Sequence, residues 1–259
     1  MLTQQNPERT VSVAAEERRW AARAKLGAWI CFGGLLAFLT FLLLGAAIGL
    51  AASLFGVDSG LRWGAAGTAA LDVFALAALA VAAWMFPATE PPRGGLPAQG
   101  APAVWVCRIA MSLACLTMAA GAWYAVQSAL AGRSVDRAPG WVAATRVAMQ
   151  CCVALGFFAL LGWLGRAGRR VPAPGVAARA QNLQFWFGGS YAVIALIEVL
   201  GPILASGGPS AVVQAMGLLA MAALVTALIS GFMTASLLSA FAHAAATQEQ
   251  RFTRSRWTA

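Results

Sequence analysis

From Leu26 to Val57 the chain runs for 32 residues without one Asp, Glu, Lys or Arg. At about 1.5 Å per residue a helix of that length crosses a hydrocarbon core about 30 Å thick with turns to spare. A cleaved signal peptide carries an apolar stretch of only about 7–15 residues, so this run reads as a retained span. Five comparable runs follow. The expected helices are about 28–55, 63–86, 104–130, 142–164, 183–205 and 211–242. Transmembrane barrel strands alternate apolar and polar residues, whereas these runs are continuously apolar, so helices are expected throughout. The sixth run exceeds what a span needs and implies tilt or extension beyond the bilayer.

Turn-forming residues separate the runs. Breaks fall at Gly56–Gly60, Pro87–Pro102, Gly132–Gly140, Gly165–Gly175 and Gly207–Ser210. The reading is an all-α, polytopic integral membrane protein built as a six-transmembrane-helix bundle. Residues 1–25 form a polar N-terminal segment, with a short interfacial helix over Ala14–Ala24. Residues 26–243 form the membrane domain, and 244–259 a basic tail in which Phe252 and Trp257 stand among three arginines.

Charge sets the expected orientation. Of 18 basic residues, 14 fall on the side of the chain ends, among them Arg18, Arg19, Arg23, Lys25, Arg108, Arg166, Arg169, Arg170 and Arg179. Arg62, Arg133, Arg137 and Arg146 fall on the other. The positive-inside rule then places both termini in the cytoplasm, and the expected location is a cell inner membrane. Arg108 is expected to snorkel from the third helix toward the cytoplasmic interface. Most of the ten tryptophans stand near helix ends, as interfacial anchors do.

Composition excludes several functions. The chain is 60% hydrophobic and 10% charged, against about 45–50% and about 25% in soluble domains. A soluble enzyme and a nucleic-acid binder are set aside. Neither GxxxxGK[ST] nor a strand-linked GxGxxG occurs. A single histidine, His243, precludes paired-histidine haem ligation and a histidine-rich zinc site, so no cofactor and no metal is expected. The five cysteines, including vicinal Cys151 and Cys152, lie inside apolar runs and suggest no disulfide framework.

Ionisable groups at membrane depth are costly and so become functional candidates. Asp72 in the second helix and Glu198 in the fifth are the two acids that qualify, at similar expected depth in the outer half. Arg146 is the one base expected to reach them, either biasing an acid or pairing with it. Gln127 and Gln150 join the candidate ligand or proton site, with Tyr124, Ser190, Tyr191 and Gln214 as further polar residues. The alternative for this constellation is an internal polar group that specifies helix packing.

Two functions are carried forward. The first is a membrane transporter-like protein, or transporter subunit, binding a small solute or proton near Asp72 and Glu198. The second is a non-catalytic scaffold or assembly subunit of a larger inner-membrane complex. Expected partners are the lipid bilayer, anionic headgroups at the basic cytoplasmic segments, and a membrane-protein partner or second copy of the chain. The GxxxG of Gly45 and Gly49 fits either internal packing or such a contact.

Overall fold

The computed structural model describes residues 7–55, 58–90, 99–100, 102–132, 139–171, 173, 175–205 and 210–254. Six helices account for nearly all of them: α1 (Pro7–Phe55), α2 (Asp58–Met85), α3 (Pro102–Leu130), α4 (Gly140–Ala167), α5 (Val176–Ala205) and α6 (Ser210–Arg254). All six are long and apolar enough to cross a membrane. Between α2 and α3 a two-residue antiparallel ladder pairs β1 (Thr89–Glu90) with β2 (Gln99–Gly100). The protein is an all-α six-helix bundle with the form of a multi-pass membrane protein. The centres of the expected turns at 56–57, 91–98, 133–138 and 206–209 lie outside the described residues, as do the side chains of Arg62, Phe252 and Trp257.

Each helix packs on its neighbour in sequence, and α6 returns to pack on α1. The result is a closed up-and-down ring. The start of α1 and the end of α6 lie at one end of it, the terminal face; the opposite end is the distal face. An ion pair closes the α1–α6 seam on the terminal face, with Lys25 Nζ 2.7 Å from Glu249 Oε2. One turn further in, the Trp29 and His243 rings meet edge-on at 5.2 Å.

No Gly or Pro interrupts α1 between Glu8 and Arg23, and good helix formers fill most of 14–25, so the polar stretch is continuous with the first span. Ala21, Ala24 and Ala28 turn one small-residue stripe inward, and all three are fully buried. Further along α1 Gly34 lies against Ala78 and Leu79 of α2, and on α6 Gly231 sits where a Cβ would meet Leu39 and Phe187 at 2.9 and 3.2 Å. Such small residues let helices approach closely where no hydrophobic effect drives them together. Gly45 of the GxxxG pair faces Thr68 of α2, so that glycine serves packing within the chain.

The core is concentrated toward the terminal face. Trp163 of α4 is 0% exposed. It meets Trp20 of α1 at 6.5 Å, Phe86 of α2 at 4.8 Å and Phe241 of α6 at 5.7 Å between ring centroids. Below the ring's midpoint Phe157 and Phe187 continue this filling, 4.4 Å apart. Trp20 and Trp163 therefore depart from the interfacial role expected of them. A position near a helix end suits both roles; the inward stripe shared with Leu160 and Leu164, and with Ala21 and Ala24, decides for burial. Trp29, Trp63, Trp84, Trp105, Trp123, Trp141 and Trp186 do stay on the surface.

Arg108 also departs from expectation. It is 8% exposed and does not reach freely toward water. Its guanidinium donates to the carbonyls of Ala83, Trp84 and Phe86 at 3.3, 3.3 and 2.8 Å. These are the acceptors that the end of α2 leaves without intrahelical donors. The Trp84 and Trp105 rings flank the cation at 5.0 and 4.7 Å.

Candidate functional site

Three helices turn a charged residue toward the ring interior, each placed by helical periodicity. On α2, Asp72 shares a stripe with Leu76, Leu79 and Ala83, all buried. On α4, Arg146 precedes Gln150, Val153 and Phe157 along the buried stripe. On α5, Glu198 follows Phe187, Tyr191 and Ala195 in the same manner. Residues at i, i+4 and i+7 occupy one face, so all three charges face inward.

Contacts between helices set their depths. Cys115 Sγ of α3 lies 4.0 Å from the Val73 carbonyl, beside Asp72. One turn nearer the terminal face on α3, Met111 lies against Gly156 of α4. Asp72 therefore stands level with the Gln150–Cys152 turn. On α5, Gly188 lies against Phe158 and the Ala154 carbonyl of α4, which brings the buried Tyr191, one turn further along, near the same level. Asp72, Gln150 and Tyr191 form one level. Arg146 lies one turn further toward the distal face and Glu198 two turns beyond Tyr191, so the two acids are offset and not at the same depth.

Buried polar atoms without a partner occur at Trp20, Trp163 and Gln248 on the terminal side, and at this level they belong to two acceptors on facing helices. Asp72 Oδ1 and Gln150 Oε1 are both buried and have no hydrogen-bond partner. A buried acceptor left unpaired costs about 1–3 kcal/mol, and more when it belongs to a charged group. Gln150 itself is 8% exposed. Among the described residues no ion pair joins Arg146 to either acid.

Distal to this level the ring opens. Arg146, Glu198 and Ala46 face inward and yet are exposed. Val212 and Val213 of α6 are 38% and 41% exposed. A small cavity of about 90 Å³ extends between α2, α3 and α4, lined by Ala65, Ala69, Tyr124, Thr145 and Arg146 among others. Ala65 and Ala69 lie on the Asp72 stripe, so the cavity's α2 wall leads down to the carboxylate. Toward the terminal face the path is blocked by Leu76, Leu79, Val153, Phe157 and Phe187, all buried, and then by Trp163. Asp72 Oδ1 and Gln150 Oε1 are thus enclosed between the inward-facing, exposed charges on the distal side and the aromatic packing on the terminal side.

Gln127 does not join this group. It is exposed and stands on the face of α3 opposite the stripe of Met111, Met118 and Ala122. Tyr191 is the residue whose importance sequence reasoning understated. Its relation to Asp72 spans α2 and α5, and no local pattern encodes it. Among the described residues no three His, Cys, Asp or Glu side chains gather as a metal-binding group. The five cysteines are free thiols, and His243 Nδ1 lies 2.8 Å from the Ser239 carbonyl of its own helix.

No protein-family model, curated protein or solved structure matches the chain. Its own side chains carry the functional argument.

Proposed function

We propose that the chain is a transporter-like membrane protein, or the transporter subunit of a larger assembly, that takes up a proton or small cationic solute at Asp72. The observation that carries this reading is the pair of unpaired buried acceptors, Asp72 Oδ1 and Gln150 Oε1, enclosed just below the inward-facing Arg146 and Glu198. Two acceptors without donors are complemented by a proton, a protonated amine or a cation, and an anion gains nothing there. Glu198 stands along the entry path and favours the same charge, while Arg146 opposes it and sets a threshold for occupancy.

The arginine distribution supports termini in the cytoplasm of a cell with an inner membrane, so the proposed entry vestibule, the distal space between Arg146 and Glu198, opens to the outer side. Release to the cytoplasm then requires the Trp163–Phe157–Phe187 floor to part, an alternating-access step. The reading is non-enzymatic: the inward residues offer acceptors and charge and no nucleophile with a positioned base. The scaffold reading draws on the exposed distal part of α6, where Leu218 and Met221 are 74% and 61% exposed, a surface for another membrane protein.

The two readings separate in a charge-movement experiment. Proteoliposomes adsorbed on a solid-supported membrane are exposed to a rapid pH jump and the displacement current is recorded. Uptake at Asp72 gives a transient current that is lost in D72N and kept in Q127A, both checked for monodisperse, folded protein. An identical current in D72N, or none in the wild-type chain, refutes the proposal and leaves the scaffold.

A further inference from the structure

A second concavity lies outside the ring, along the seam of α5 and α6. It is a cleft of about 500 Å³, within the range of about 300–1,000 Å³ that ligand sites occupy. Its terminal-face end is polar and basic, lined by Arg179, Asn182 and Ser236. Its body is apolar, with Trp186, Ile229 and Met233 64%, 57% and 54% exposed along the walls.

The hydroxyls further along the cleft do not make it polar. Ser230 Oγ donates to the Thr226 carbonyl at 2.7 Å and Thr226 Oγ1 to the Ala222 carbonyl at 2.8 Å. Both are satisfied within α6, so what they present to a ligand is largely carbon. On α6 the lining runs from Thr226 to Leu237, which at about 1.5 Å per residue is roughly half of a hydrocarbon core of about 30 Å. The cleft is therefore about as long as one leaflet is thick, and its basic end is the one toward the terminal face.

Charge at the mouth is one-sided. Arg179 and Asn182 are exposed, and among the described residues no carboxylate pairs with Arg179. Arg169 and Arg170 stand in the turn leading into α5, on the same face. The acid of this face on α6, Glu249, is engaged with Lys25 at the other seam.

We infer that the α5–α6 cleft is a binding site for one anionic phospholipid of the terminal-face leaflet, its phosphate on Arg179 and Asn182 and one acyl chain between Trp186 and Met233. Arginine suits this role because its planar fork donates to phosphate oxygens in pairs, and Trp186 supplies an apolar wall close to headgroup level. The site is independent of the vestibule, because it lies on the outer surface of the ring and shares no residue with it.

The test is lipid retention by native mass spectrometry, together with thermal stability, on the full chain purified in detergent and titrated with phosphatidylglycerol, phosphatidylcholine or inorganic phosphate. Phosphatidylglycerol is expected to bind one per chain and raise the melting temperature, with phosphatidylcholine at least about fivefold weaker, the discrimination of roughly one basic contact near a membrane surface. R179A is expected to lose that preference, R179K to retain part of it, and M233W to block binding by filling the cleft while leaving the arginine in place. Equal binding of both lipids, or unchanged phosphatidylglycerol binding in folded R179A and M233W, overturns the proposal. Stabilisation by inorganic phosphate to the same extent as by phosphatidylglycerol overturns the acyl-chain part and identifies a free-anion site.

Discussion

Arg108 shows how one residue's sequence neighbourhood misleads. A base near a helix end beside Trp105 carries the signature of an interfacial anchor, yet three terminal carbonyls of α2 converge on its guanidinium. Removing that cap leaves those acceptors without donors in an apolar setting. R108A is expected to lower stability by about 1.5–3 kcal/mol, the range for hydrogen bonds to a charged group. R108K should recover less than half, because a compact ammonium lacks the planar spread of donors and the stacking on indole rings that a guanidinium offers. The check is the melting temperature in detergent, and an unchanged value in R108A would remove the cap from the account. Asp72, Glu198 and Arg146 were legible as candidates because charge at membrane depth is rare and costly. Gln127 was misplaced because depth alone was weighed, and the inward stripe of α3 runs along its opposite side. Tyr191 is hard to read from sequence because the level it shares with Asp72 is set by how α4 and α5 pack.

At the scale of elements, long uninterrupted hydropathy made all six spans readable. The helix ends were harder. Glu16, Glu17, Arg18 and Arg19 mark where the chain meets a polar environment, but charge does not end a helix, and α1 begins at Pro7. Likewise α6 continues to Arg254, since no Gly or Pro follows Gly231 to stop it. Those overhanging turns bring Lys25 and Glu249 together at 2.7 Å, with side chains 35% and 23% exposed. An ion pair so accessible contributes about 0–1 kcal/mol. A double-mutant cycle of K25A and E249A, read by thermal unfolding, is expected to give a coupling within that range that shrinks in high salt. A coupling well above it would mean that the seam is a main determinant of ring closure, in place of the small-residue packing assigned here.

The whole molecule is asymmetric along its long axis. Its terminal half is filled by Trp163 and the rings around it, and in its distal half the inward-facing Arg146 and Glu198 are exposed. Hydropathy gives no hint of this, since Leu and Ala satisfy lipid, a protein core and a partner helix equally well. The asymmetry matters because the proposed function uses it: three dispersed charges become an entry path, a binding level and a closed floor. The most direct test is cysteine accessibility in oriented membrane vesicles, using a chain whose five native cysteines are replaced by alanine. Variants R146C, E198C and F157C are treated with a membrane-impermeant maleimide from each side in turn. The account predicts rapid labelling of R146C and E198C from the side opposite both termini, and no labelling of F157C from either side until the protein is denatured. Protection of R146C and E198C, or labelling of F157C as fast as theirs, would contradict a vestibule that ends above the aromatic floor.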